Sequence, residues 1–166
     1  MAAFAIHGDP VNTAGELPAR GARAPGFELT GTDFSTVTPE QFQGRTLVLN
    51  IFPSLDTPVC ANSVRRFNQE AANRKGVSVL CVSADLPFAQ SRFCGAEGLE
   101  DVITASTFRN PEFGRDYGVA MVDGPLAGLM SRAVVVIDAD GRVAYTEQVP
   151  EISEEPDYDQ ALQHLG

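Results

Sequence analysis

The residue with the clearest chemical potential is Cys60. It closes the segment Pro53-Ser54-Leu55-Asp56-Thr57-Pro58-Val59-Cys60, between an apolar run and a stretch with helical spacing. Pro58 suits the first helical position, because it lacks the N–H that would go unpaired there and its φ is preset. Thr57 is then the N-cap. Cys60 falls at the third helical position, among unpaired backbone N–H groups at the positive end of the helix dipole. A free cysteine is mostly a thiol at neutral pH, but the thiolate is the nucleophile. A helix N-terminus with a cation nearby favours that thiolate, so the spacing points to nucleophilic attack by sulfur. The competing reading is a structural cysteine on the apolar stripe Cys60, Val64, Phe67 and Ala71. The Thr-Pro cap behind a strand favours reactivity.

The chain holds two more cysteines. Cys81 lies in the apolar run Val77–Ser83, where cysteine behaves as a small inert hydrophobe. Cys94 is expected to end a short helix just before Gly95, where local unfolding is cheap. Arg132 stands just before the apolar run Ala133–Ile137, at an end that could face the Cys60 turn. Its fixed fork of donors suits both a sulfur anion and a polar substrate. His7 and His164 sit near opposite ends with no metal-ligand spacing to cysteine or carboxylate, so no metal or cofactor is expected. The stretch Gly118–Gly128 lacks the Lys-Ser/Thr of a phosphate loop and reads as a loop near the active site or a dimer face. The acidic run Glu151–Asp159 reads as solvated surface, as do Arg20 and Arg23.

The elements that must position these groups alternate. Phe4, Ile6 and Val11 flank Gly8-Asp9-Pro10 as a hairpin, and Phe27–Thr30 alternates like a strand. Val37–Gly44 reads as a turn or helical loop. Leu47–Phe52 is a buried strand, Pro58–Lys75 a helix with Gly76 as its C-cap, and Val77–Ala84 a second strand. Pro87–Cys94 is a short helix and Val102–Ala105 a short strand. Asn110-Pro111 opens another helix as cap and first residue, closed by Gly118. Ala133–Ile137 and Val143–Val149 form an antiparallel pair, and a last helix covers about Pro156–Leu165. This is an α/β chain with a mixed sheet covered by helices, and the late hairpin is the layout of a thioredoxin-like fold. One domain spans 1–166, with an N-terminal hairpin extension over 1–23 and a core over 24–166.

Composition bounds the function. The 166 residues are 43% hydrophobic, enough for one core, with a formal net charge of −10. That balance argues against nucleic acid or an anionic membrane surface as partner. No apolar run reaches membrane-spanning length, and the first twelve residues lack the basic, apolar pattern of a signal peptide. An odd, small cysteine count excludes a disulfide scaffold and points to a reducing compartment, hence a cytoplasmic location.

Pro53-x-x-x-Thr57-x-x-Cys60 resembles the peroxiredoxin active-site signature. The longer strings Asn50–Cys60 and Asp123–Asp138, the N-terminal hairpin and Ala24-Pro25-Gly26-Phe27 are similar to the thiol peroxidase subfamily, the atypical two-cysteine peroxiredoxins. The resemblance covers nearly the whole chain. It implies that Cys60 is the peroxidatic cysteine, attacking a peroxide oxygen to become a sulfenic acid. Thr57 matches the residue whose hydroxyl contacts the thiolate and orients the peroxide. Pro53 matches the residue shielding the cysteine from water, and Arg132 the arginine beside it. Cys94 matches the resolving cysteine, which condenses with the sulfenic acid to an intrachain disulfide. Thioredoxin as reductant and a homodimer are further implications. Cys60 and Cys94 lie on separate helices, expected to exceed the roughly 7 Å Cα limit for a disulfide. Closure would then need local unwinding.

Two other classes compete with this reading. A thioredoxin-like disulfide reductase needs a cysteine at position 57, which is Thr57. Another peroxiredoxin type places its resolving cysteine at position 65, which is Arg65. A peroxide-sensing redox signalling protein with little turnover stays open. Hydrogen peroxide and organic hydroperoxides are the expected substrates.

Overall fold

A computed structural model describes residues 4–71 and 74–165. Its frame is a seven-stranded mixed sheet in the order β4-β3-β7-β6-β5-β8-β9, and a separate two-stranded ribbon, β1-β2, forms the N-terminus. The ribbon is Phe4–Ile6 and Asp9–Val11. Then come β3 (Leu29–Gly31), β4 (Thr36–Val37), a 3₁₀ turn (Pro39–Phe42) and β5 (Thr46–Ile51). Helix α1 (Pro58–Glu70) leads to β6 (Val77–Ser83), α2 (Pro87–Glu97) to β7 (Ile103–Ser106), and α3 (Glu112–Asp116) to β8 (Ala133–Ile137). The chain ends in β9 (Val143–Gln148) and α4 (Tyr158–Leu162). Strand β5 runs parallel to β6, and β6 to β7, through the crossovers α1 and α2, while β8 pairs antiparallel to both β5 and β9. This is the expected thioredoxin-like architecture.

Alternation along the central strands builds two cores. Leu47, Leu49 and Ile51 of β5 face one side, with Phe27, Phe113 of α3 and Tyr117. Val48 and Val79 face the other, with Cys60, Val64 and Phe67 of α1 and Tyr158 and Ala161 of α4. A strand buried on both faces needs a continuous apolar sequence, which is why β5 and β8 show no polar alternation. Full burial of Val64 and Phe67 stabilises by roughly 1.5–3 kcal/mol each and fixes which face of α1 meets the sheet.

Several boundaries differ from the sequence expectation. Helix α1 stops at Glu70 rather than Lys75; Arg74 Nε donates to the Glu70 carbonyl from the following turn, and Gly76, at φ 77°, belongs to the entry of β6. Residues 72 and 73 of the expected helix lie outside the described residues. Helix α2 runs on to Glu97, so Cys94 does not end it; Gly95 stays helical, and Gly98, at φ 66°, is the left-handed cap. The Cys94 carbonyl accepts the closing bonds from Gly98 N and Leu99 N. Helix α3 starts at Glu112 with Pro111 as its N-cap, and α4 is confined to Tyr158–Leu162. In the ribbon, His7 and Gly8 are the turn, both with positive φ, and Asp9 and Pro10 belong to β2. Two left-handed residues give the turn twist that a tight hairpin needs. At Gly118, φ is 70° and a Cβ would lie 2.2 Å from the Glu16 carbonyl oxygen, so only glycine fits there. Among the described residues, no helix is long and apolar enough to cross a membrane.

Candidate active site

Thr57 adopts the extended conformation of an N-cap, with Pro58 as the first helical residue and Cys60 as the third. Its hydroxyl does not cap the helix. It donates instead to the Ser54 carbonyl at 3.0 Å, and no hydrogen bond joins it to the Cys60 sulfur. Pro53 and Cys60 are both buried, the cysteine at 0% exposure, while Thr57 is half-buried. The Cys60 carbonyl accepts from Ser63 Oγ at 2.7 Å, and Ser63 Oγ accepts from Asn50 Nδ2 at 3.1 Å. The first turn of α1 is thus tied to the floor of the sheet.

The register of β5 and β8 brings the cation to the sulfur. Ile51 pairs with Ala133, so Arg132 lies beside the point where the chain leaves β5 toward Cys60. Arg132 Nη1 is 3.1 Å from Cys60 Sγ, and Nε and Nη2 donate to the Ile152 carbonyl at 3.1 and 2.8 Å. Arg132 is only 1% exposed, and among the described residues no carboxylate lies within ion-pair distance of it. A buried guanidinium with no carboxylate is costly, and an adjacent thiolate would cancel its charge. The arrangement can hold a sulfur anion and still offer N–H donors to a bound oxygen.

Cys94 sits half-buried in α2, packed against the same core as Cys60. Burial pushes its thiol up, and a hydrogen bond with Thr104 works in the opposite sense. Cys81 is fully buried, and burial pushes its thiol up to about 12. All three cysteines are free thiols. The structure thus places Cys60, Arg132, Thr57 and Pro53 around one turn and Cys94 on the neighbouring helix. A groove of about 390 Å³ runs between the two helices, lined by Leu55, Thr57, Pro58, Arg65 and Phe93.

Three participants escaped the sequence reading. Asp85 accepts from Ser54 Oγ at 2.7 Å, from Leu55 N at 2.8 Å and from Ser83 Oγ at 2.7 Å. It therefore clamps the loop before Cys60 onto the residues that open α2. Ser54 is the hub of that loop, bonding Asp85, Asp56 N and, through its carbonyl, Thr57. The third is the Ile152 carbonyl. Asp85 stood just past a strand with no partner spacing to flag it, and a carbonyl carries no residue-type signal.

Comparison with known proteins fits this geometry. The Redoxin family model matches residues 19–162, which leaves the β1-β2 ribbon outside the matched span. A thiol peroxidase of Mycobacterium bovis is 60% identical over 166 residues, covering 100% of this chain and 99% of that protein. The chain belongs to the thiol peroxidase branch of the redoxin family. A thiol peroxidase of Mycobacterium tuberculosis matches it to the same extent. Among solved structures, a peroxiredoxin-like protein from Aquifex aeolicus superposes with a TM-score of 0.92 at 40% identity, covering 98% of this chain and 94% of that one. A thiol peroxidase from Chromobacterium violaceum shares the fold, with a TM-score of 0.87 at 22% identity over 96% and 93% of the two chains. Peroxide reduction by a thiol is the activity of the thiol peroxidase branch.

Proposed function

We propose that Cys60 is the peroxidatic nucleophile for hydrogen peroxide and organic hydroperoxides. The observation that carries this reading is the 3.1 Å approach of Arg132 Nη1 to Cys60 Sγ in a site closed to solvent. The thiolate attacks the terminal peroxide oxygen, forming the S–O bond as the O–O bond breaks. Cys60 becomes a sulfenic acid, and the alkoxide or hydroxide leaves and takes a proton to become alcohol or water. Arg132 stabilises the charge as it passes from sulfur to the leaving oxygen. Thr57, on release from Ser54, is within the same turn and can donate to the peroxide. Pro53 keeps bulk water from the sulfur.

The Cys94 thiol then attacks the sulfenic sulfur, forming the intrachain Cys60–Cys94 disulfide and releasing water. Cys60 sits on α1 and Cys94 on α2, so closure draws on opening of the first turn of α1 and the last turn of α2. A dithiol reductant of the thioredoxin kind returns both thiols by exchange, and its own thiols become the disulfide. The working unit is a cytoplasmic homodimer.

A peroxidase assay coupled to thioredoxin tests the cycle. Cys60→Ser is expected to abolish peroxide consumption. Cys94→Ser is expected to allow one turnover and then stop. Full activity in Cys60→Ser would overturn the assignment.

A further inference from the structure

We propose that the N-terminal β1-β2 ribbon belongs to the catalytic apparatus, as the element that aims Arg132 at Cys60. This rests on the reading of Arg132 and Cys60 given above. Among the described residues, the guanidinium makes hydrogen bonds to two groups, the Cys60 sulfur and the Ile152 carbonyl. Two of its N–H groups go to that carbonyl, so the position of Ile152 sets the plane and reach of the fork. An arginine side chain has much rotamer freedom, and its direction here depends on what holds this one acceptor.

The ribbon holds it. Ala5 N donates to the Pro150 carbonyl, and Ile152 N donates to the Ala5 carbonyl, each at 2.9 Å. The Glu151 carboxylate, between them, accepts from His7 N at 2.7 Å and Gly8 N at 3.0 Å, gripping the ribbon's turn with both oxygens. The Ile152 side chain packs against the ribbon's own cluster of Phe4, Ile6 and Val11 with Met121. At the other end of the segment, Val149 N donates to the Arg132 carbonyl at 2.9 Å. Residues 149–152 are therefore pinned at one end by the backbone of Arg132 and at the other by the ribbon. Glu151 is a positioning residue, acting through the Ile152 carbonyl. The acidic run read from the sequence as solvated surface contains this clamp at its first residue.

The test is a double-mutant cycle on the single-turnover reaction with peroxide, followed by rapid quench and mass spectrometry because the chain has no tryptophan. Glu151→Ala is expected to slow sulfenic acid formation about tenfold or more, since small displacements of a positioned group cost rate steeply. The subsequent Cys60–Cys94 closure should keep its wild-type rate. In an Arg132→Lys background, Glu151→Ala should produce no further slowing, because its effect passes through the arginine. A wild-type rate in Glu151→Ala, or effects of the two changes that multiply, would overturn the proposal. If Arg132→Lys alone leaves the rate intact, the reading of the site itself fails. Should Glu151→Ala lose its fold, Glu151→Gln, which keeps one acceptor oxygen, carries the same cycle with a smaller expected loss.

Discussion

Cys60 and Cys81 share one core, yet one opens a helix and the other lies within a strand, and their polar neighbours differ. Cys60 meets a guanidinium at 3.1 Å, whereas Cys81 meets apolar side chains and the weak donor Asn50 Nδ2 at 3.7 Å. Burial without a cation leaves Cys81 protonated up to about pH 12. The unfolded chain would release that proton near the ordinary value of 9.0, before the folded chain does. The Cys81 contribution to stability is therefore flat with pH below about 9 and is lost as pH rises toward about 12. Urea titrations across that range should show a shallower alkaline loss in Cys81→Ala than in the wild type. Equal slopes would mean that Cys81 is not held protonated by the fold. The same protonation shields Cys81 from alkylation in the folded protein, and unfolding should expose it at once.

At the scale of elements, the loop before α1 and the entrance to α2 share the Asp85 carboxylate. Hydrogen bonds to a charged group contribute about 1.5–3 kcal/mol each when well made. Asp85→Ala should lower global stability by about 1–3 kcal/mol, read from urea melts. On the proposed cycle it should also speed disulfide closure after one equivalent of peroxide, because the loop opens more often. Slower closure would place Asp85 outside the opening step. The helix start at Thr57-Pro58 and the place of Cys60 were legible because helix starts obey residue-type rules, and the five site candidates could be named, but the missing cap hydrogen bond of Thr57 was not foreseen. The length of α1 was not: Arg74, Lys75 and Gly76 imitate a final turn and C-cap, but Ala71, at φ −126°, has already left the helix. Arg132 could be placed at a strand end, yet its approach to sulfur depends on the Ile51–Ala133 register, which pairs residues far apart in sequence. The grip on Ile152 is made by main-chain atoms, and only Glu151 could have hinted at it.

Across the whole molecule, the fold class was legible because alternating apolar runs and capped helices agree with one another. The ribbon's docking was not, since it rests on contacts between residues 4–8 and 150–152 rather than on any pattern within either segment. The tyrosines are spread through the same frame. The Tyr117 hydroxyl donates to the Pro25 carbonyl, that of Tyr145 to Glu147 and that of Tyr158 to Glu155. Burial pushes all three phenols upward, Tyr145 to about 12 and the other two further. The protein has three tyrosines and no tryptophan, so its longest-wavelength aromatic absorption is theirs. In alkali, phenolate colour should stay absent through the ordinary tyrosine range and then appear together with loss of far-ultraviolet circular dichroism. Phenolate appearing first, with the dichroism intact, would contradict the burial described here. The chain thus carries its own optical indicator of unfolding, with one phenol behind the sheet and two on the side that holds Cys60.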